Sequence, residues 1–385
     1  MVVIWIMVDT VTGFLLSYGA NISFSQLFKL LLLALVIVRL FKYKTAFLSL
    51  YLLLLYITWY FLHLSLINVD FVPPMISLSK FLSLLFLYVY FRICIFNFPL
   101  KTTFYVRNVM VIAWLVVAFN VIIGLMGYGL PSYGEDAEMG VKGFFYAANE
   151  LGGIMAVLVP FMAYFIQVRL SGLKALLAYA IIILIGVSIG TKSCILVTLL
   201  SVIIVPILYM SLANRLKLLF CLAVIMIVAF PFLVNTFEDL SIGALDRWTY
   251  YYDTGGMDKL VYSGRDEHWR LKKEIFSNSD LFTQLFGMGI EGKVIERDHL
   301  DSILMFGYCG FFLIVSFFLY LLIVAFRYRH NNSLVKVVIF SDLLILGIGY
   351  MAGHVWFSGM ASVYIALFNV FPFVHHEGLI FGKAD

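Results

Sequence analysis

Apolar runs of about twenty residues recur along nearly the whole of this chain, and a run of that length crosses a bilayer as one helix. Only the stretch 235–300 breaks the pattern for long. Composition points the same way. Of 385 residues, 63% are hydrophobic and 12% charged, where a soluble domain carries roughly 25% charged residues. Too little polar surface exists to face water, which excludes a soluble enzyme, a secreted domain and a disordered chain. A β-barrel is excluded as well, because its strands are segments of about 10 residues in which apolar and polar positions alternate. The chain is therefore expected to be all-α, a polytopic helical membrane protein with about twelve transmembrane helices. The predicted spans are 3–19, 23–41, 45–66, 74–97, 106–128, 143–168, 173–190, 193–210, 217–234, 301–326, 334–352 and 355–374. They form one integral membrane domain, 1–385, with 235–300 as a loop subdomain between the ninth and tenth spans.

The connections alternate in charge. Arg39, Lys42 and Lys44 share one, and Arg92, Lys101 and Arg107 another. Arg169 with Lys174, Arg215 with Lys217, and Arg327, Arg329 and Lys336 mark three more, none containing an acid. Positively charged loops stay in the cytoplasm. The intervening connections carry Asp70, then Glu135, Asp136 and Glu138, and the long loop carries twelve acids against eight bases. The expected topology has both termini inside and 235–300 on the extracytoplasmic face. The dispersed basic residues, with a net charge of +4, do not suit nucleic acid. Cys94, Cys194, Cys221 and Cys309 lie in or beside apolar runs without metal-ligand spacing.

Three constellations could carry chemistry at the outer face. Glu296, Arg297, Asp298, His299 and Asp301 cluster at the mouth of the tenth span. On a helix starting near 297, Asp298 and Asp301 share a face. A partly desolvated carboxylate can act as a general base, whereas acids at a helix start also simply complement the dipole. Ser263-Gly264-Arg265 precedes a predicted helix over 265–277, and an arginine at a helix start suits a phosphate; a surface ion pair to Asp266 or Glu267 is the plainer alternative. Arg247 in LDRW is a second such candidate. Lys192 in GTKS lies where the seventh and eighth spans meet at the outer side, where it either snorkels or faces a cavity. Asn149 and Glu150 in AANELGG and His354 in AGHVWFSG fall at the same level. The bilayer midplane is nearly bare of charge, apart from Asp9, Lys29, Lys80 and Asp342. That distribution suits an enzyme acting on lipid headgroups better than a transporter, whose ionisable groups sit at the midplane.

The succession GFFYAANELGGIMAVLVP (143–160), GTKS (190–193), SGR…W (263–269), GMG (287–289), ERDHLDSILMFGYCG (296–310) and AGHVWFSGMASVY (352–364) resembles the O-antigen polymerase and O-antigen ligase superfamily. The resemblance covers the sixth to twelfth spans in order and includes the long outer loop. It implies a membrane glycosyltransferase of the GT-C type, inverting and independent of metal or other cofactor. Its donor would be an undecaprenyl-pyrophosphate-linked oligosaccharide at the outer face of a bacterial inner membrane. The resemblance assigns Arg265 and Lys192 to the donor pyrophosphate; Arg247, Asn149 and His354 stay further binding candidates on their placement in the sequence. It assigns Glu296, or its neighbour Asp298, to the catalytic base. The His-Asn motif of the ligases is absent here, and the E-x-D-x-x-D pattern from Glu296 looks like the polymerase branch. In that branch the growing chain moves from its carrier onto the non-reducing end of a lipid-linked repeat unit, as part of O-antigen or capsule polysaccharide synthesis. The pathway's flippase and a chain-length regulator are the expected partners. A ligase moving glycan to lipid A–core is the alternative, and so is a flippase of lipid-linked sugars, for which pseudo-repeats between halves are expected.

Overall fold

The computed structural model describes residues 2–19, 24–70, 72–132, 140–209, 249–250, 252–257, 265–289 and 295–375. The predicted ninth span, Arg247, Ser263 and Gly264 lie outside the described residues. The chain forms helices α1 (Trp5–Ser17), α2 (Phe24–Leu40), α3 (Lys44–Leu66), α4 (Val72–Asn97) and α5 (Pro99–Leu125). A short antiparallel hairpin of β1 (Leu130–Pro131) and β2 (Val141–Gly143) follows. Then come α6 (Ala148–Arg169), α7 (Gly172–Ser188), α8 (Lys192–Tyr209), α9 (Arg265–Ser277), α10 (Leu281–Phe286), α11 (Asp298–Arg327), α12 (Leu334–Met351) and α13 (Ser362–Phe368). Among the described residues, α4, α5, α6, α8, α11 and α12 are each long and apolar enough to cross a membrane. The protein is an all-α, multi-pass membrane protein. At its centre lies α6, whose residues from Leu151 to Phe161 are all buried.

Three boundaries differ from those expected. Helix α5 begins at Pro99, so Lys101 and Arg107 lie on the helix and not in a connection. Proline suits the first helical turn, where its missing N–H costs no hydrogen bond.

The tenth span is continuous in sequence but broken in backbone at Gly307 (φ 66°, ψ −175°). A side chain at Gly307 would collide with the backbone of Leu285 and Gly287, so the hairpin around α10 packs directly onto the break. Three carbonyls just before the break have partners outside the helix. The Tyr60 and Tyr56 hydroxyls donate to the Met305 and Phe306 carbonyls at 2.9 and 3.1 Å. The Met288 amide donates to the Leu304 carbonyl at 2.9 Å. One stripe of α3 and the Met288 amide thus supply donors at the break, as the absence of water in a bilayer requires.

The last apolar run is not a continuous span. Residues 353–361 form a turn-rich strap, followed by the seven-residue α13 and a 3₁₀ turn at Phe371–Phe373. Almost every residue from Val355 to Val374 is buried. Hydropathy cannot separate such an enclosed segment from a crossing helix, because irregular backbone at membrane depth is tolerated where protein surrounds it.

Candidate functional site

The strap is held by two carboxylates. Asp298 accepts hydrogen bonds from the backbone amides of His354, Val355 and Trp356, at 2.6, 2.8 and 2.8 Å. Glu150 accepts from the Ser358 hydroxyl at 2.7 Å and the Met360 amide at 3.1 Å. Gly353 (φ 65°) lies so close that a Cβ there would fall 2.4 Å from the Glu296 carbonyl. Asp301, one helical turn beyond Asp298, accepts from the amides of Ile295 and Arg297. The segment before α11 and the strap are therefore knotted together by backbone hydrogen bonds to buried acids.

Asp298 does not reach the chamber: it is 2% exposed and absent from the cavity wall, and its oxygens accept from the three strap amides. The geometry gives it a hold on the strap, and Glu296 is the carboxylate at the cavity. Arg297 is likewise turned inward, its guanidinium 5.3 Å over the Tyr350 ring and its Nε–H donating to the Tyr350 carbonyl.

Glu296 has a different fate. Both it (φ 65°) and His354 (φ 61°) adopt the left-handed conformation, which costs a non-glycine residue energy and clusters at functional positions. Its carboxylate pairs with Arg265, the first residue of α9, at 2.9 Å, and the two side chains keep 32% and 18% of their exposure. Both line one cavity of about 1670 Å³. Lys192, His354 and Asn149 line the same cavity. Of the expected binding residues inside the described set, the fold brings every one to a single chamber.

The chamber runs from one end of the bundle toward its middle. Its wall uses α1 from Trp5 to Leu16, the first halves of α2, α4 and α8, the starts of α6 and α9, Glu296 two residues before α11, and the second half of α12. An antiparallel bundle places those helix halves together. At α8 the residues Gly190, Thr191, Lys192 and Ser193 all face the chamber, and the Thr191 hydroxyl accepts from the Cys194 amide. Helix starts carry the positive end of the dipole, so several of them ringing one space favour an anion there.

The site also contains Asp9, Lys29 and Lys80, to which the sequence motifs assign no role. Lys80 pairs with Glu150 at 3.2 Å, and Lys29 with Asp9 at 2.5 Å; all four line the chamber. The available signal was the presence of lone charges inside predicted spans, which are costly unless partnered. Asp342, the remaining midplane charge, is buried away from the chamber and accepts from the Asn369 amide group.

Outside the spans, Asp280 caps α10. The Thr283 hydroxyl and the Thr283 and Phe282 amides hold its carboxyl below the ordinary value. Among the described residues no cluster of His, Cys, Asp or Glu is arranged to hold a metal ion.

Helical membrane architecture and a charged chamber at one end describe the class of protein. Residues 252–375, about a third of the chain, match the family described as O-antigen ligase like membrane protein. That match is consistent with the O-antigen polymerase and ligase superfamily, and a family of this kind implies a membrane enzyme of glycosyltransferase type. No curated protein and no solved structure matches the chain.

Proposed function

We propose that the protein is a polysaccharide polymerase of the O-antigen or capsule kind, acting at the extracytoplasmic face of a bacterial cytoplasmic membrane. It transfers a glycan from undecaprenyl pyrophosphate to the non-reducing end of a lipid-linked repeat unit. One observation carries this reading: the Arg265–Glu296 pair stands in a large chamber shared with Lys192 and His354, at one end of a membrane bundle.

The chemistry follows from charge. Arg265 engages Glu296 through its Nη2 and Nε groups. A donor diphosphate offers that guanidinium a more highly charged partner with bidentate geometry. As Arg265 turns toward the diphosphate, the Glu296 carboxylate is released to accept a proton. The acceptor hydroxyl gives up that proton while its oxygen bonds to the anomeric carbon from the opposite face. The bond from that carbon to the diphosphate oxygen breaks, and its electron pair leaves with the diphosphate. Arg265, Lys192 and the helix starts stabilise the charge that builds there. The anomeric configuration inverts.

Deleting the protein tests the reading. Polymerase loss leaves single lipid-linked repeats on the outer leaflet. Repeats retained on the inner leaflet would identify a flippase instead, and normal polymer that fails to reach lipid A–core would identify a ligase.

A further inference from the structure

We infer that the wall of the chamber formed by α1, α2 and α4 is a glycan subsite, centred on Gln26 and Lys80, that holds the uncharged sugars of the acceptor. The inference rests on the transferase reading above. It concerns helices that lie outside the segment matched by the family model.

The two walls differ in charge. On this side Lys29 and Lys80 face Asp9 and Glu150, two cations against two anions, each paired within 3.2 Å. A diphosphate gains no net attraction from such a set and meets two carboxylates. A sugar hydroxyl, which both donates and accepts, fits it well.

Capacity for a new donor and a new acceptor is present. Asp9 uses Oδ1 for both Ser25 and Lys29, while its Oδ2 has no hydrogen-bond partner among the described residues although Asp9 is only 7% exposed. That oxygen is enclosed, so the groups a sugar can reach on this wall are the Gln26 amide, which both donates and accepts, and the Lys80 ammonium. Lys80 is the most exposed of the four charges at 33% and has three N–H donors, one of them given to Glu150. Gln26 is exposed on the same wall.

The strap links the two walls. Gly359 packs against both Lys80 and Lys29, and its carbonyl accepts from the Trp5 indole N–H at 3.1 Å. His354, on the opposite wall, is five residues away along the strap, at most about 18 Å for a fully extended chain. An oligosaccharide held at Gln26 and Lys80 can therefore present its terminal hydroxyl to Glu296 while the donor diphosphate occupies Arg265 and Lys192.

The test uses the full-length protein in lipid nanodiscs and two probes. One is undecaprenyl diphosphate. The other is the oligosaccharide freed by mild acid from lipid-linked repeats of cells lacking the protein. Gln26→Ala and Lys80→Gln should each weaken oligosaccharide binding about tenfold, the loss of one or two hydrogen bonds. Both should leave undecaprenyl diphosphate binding unchanged, and Arg265→Ala should do the reverse. If wild type binds the oligosaccharide and both variants match it, the subsite is wrong while the transferase reading stands. Equal weakening of both probes would also overturn the subsite, showing a structural role for these residues. If wild type binds neither probe, the transferase reading fails first. Gln26→Ala protects the test, because its exposed side chain can be removed without stranding a buried charge.

Discussion

The chamber wall and the strap packed behind it use the same residue types for opposite work. Glu296 and Asp298 are two positions apart, yet one faces the chamber, paired with the Arg265 guanidinium, and the other is enclosed by three backbone amides. What separates them is where their acceptor capacity goes. A carboxylate enclosed away from the chamber and bonded to three amides holds backbone in place. A carboxylate held by one long cationic side chain can be released when a stronger anion arrives. The strap makes the wall possible: by fixing residues 353–360 from both ends, Asp298 and Glu150 hold His354 at the chamber and hold Glu296 in a left-handed backbone that it would not choose unaided.

This contrast can be broken by experiment. The largest effect is expected at Arg265→Ala. Loss of a preorganised cation opposite the departing diphosphate should lower transfer about 10²–10³-fold. The melting temperature in detergent should stay near that of wild type, since the side chain is part-exposed. A variant that unfolds would place Arg265 with the architecture.

Asp298→Ala should do the opposite and act through stability. Three buried amides lose their acceptor, each worth about 1–3 kcal/mol, so at least about 3 kcal/mol should disappear. Protein yield and thermal unfolding would report it, and a stable Asp298→Ala protein without activity would return Asp298 to the catalytic set. The smallest effect belongs to Tyr60→Phe. It leaves the Met305 carbonyl at the α11 break without its donor, at about 1 kcal/mol. A slight fall in melting temperature with normal transfer would confirm that α3 only braces the break.

Much of the bundle was legible in the sequence, because spans such as 74–97 and 334–352 are long and uniformly apolar and close to α4 and α12. The segment 355–374 was not, for the same reason: burial by protein and burial by lipid select the same residues. The chamber was partly legible. Charge alternation set Lys192, Asn149, Arg265, Glu296 and His354 at one level of the bundle, and antiparallel helices then had to bring that level together. The division of labour between Glu296 and Asp298 could not be read, because it depends on backbone amides 56 to 58 residues further along the chain. The pairing of Asp9 with Lys29 was signalled only as two lone charges in separate spans. Nothing in their spacing shows that α1 and α2 present them to each other.

The central claim is that Glu296 receives the acceptor proton after Arg265 has moved to the diphosphate. Transfer by purified Glu296→Gln protein, assayed on extracted lipid-linked repeats beside direct binding of undecaprenyl diphosphate, tests it most directly. The account predicts that donor binding persists while chain extension is lost. Extension at the wild-type rate by Glu296→Gln would contradict it.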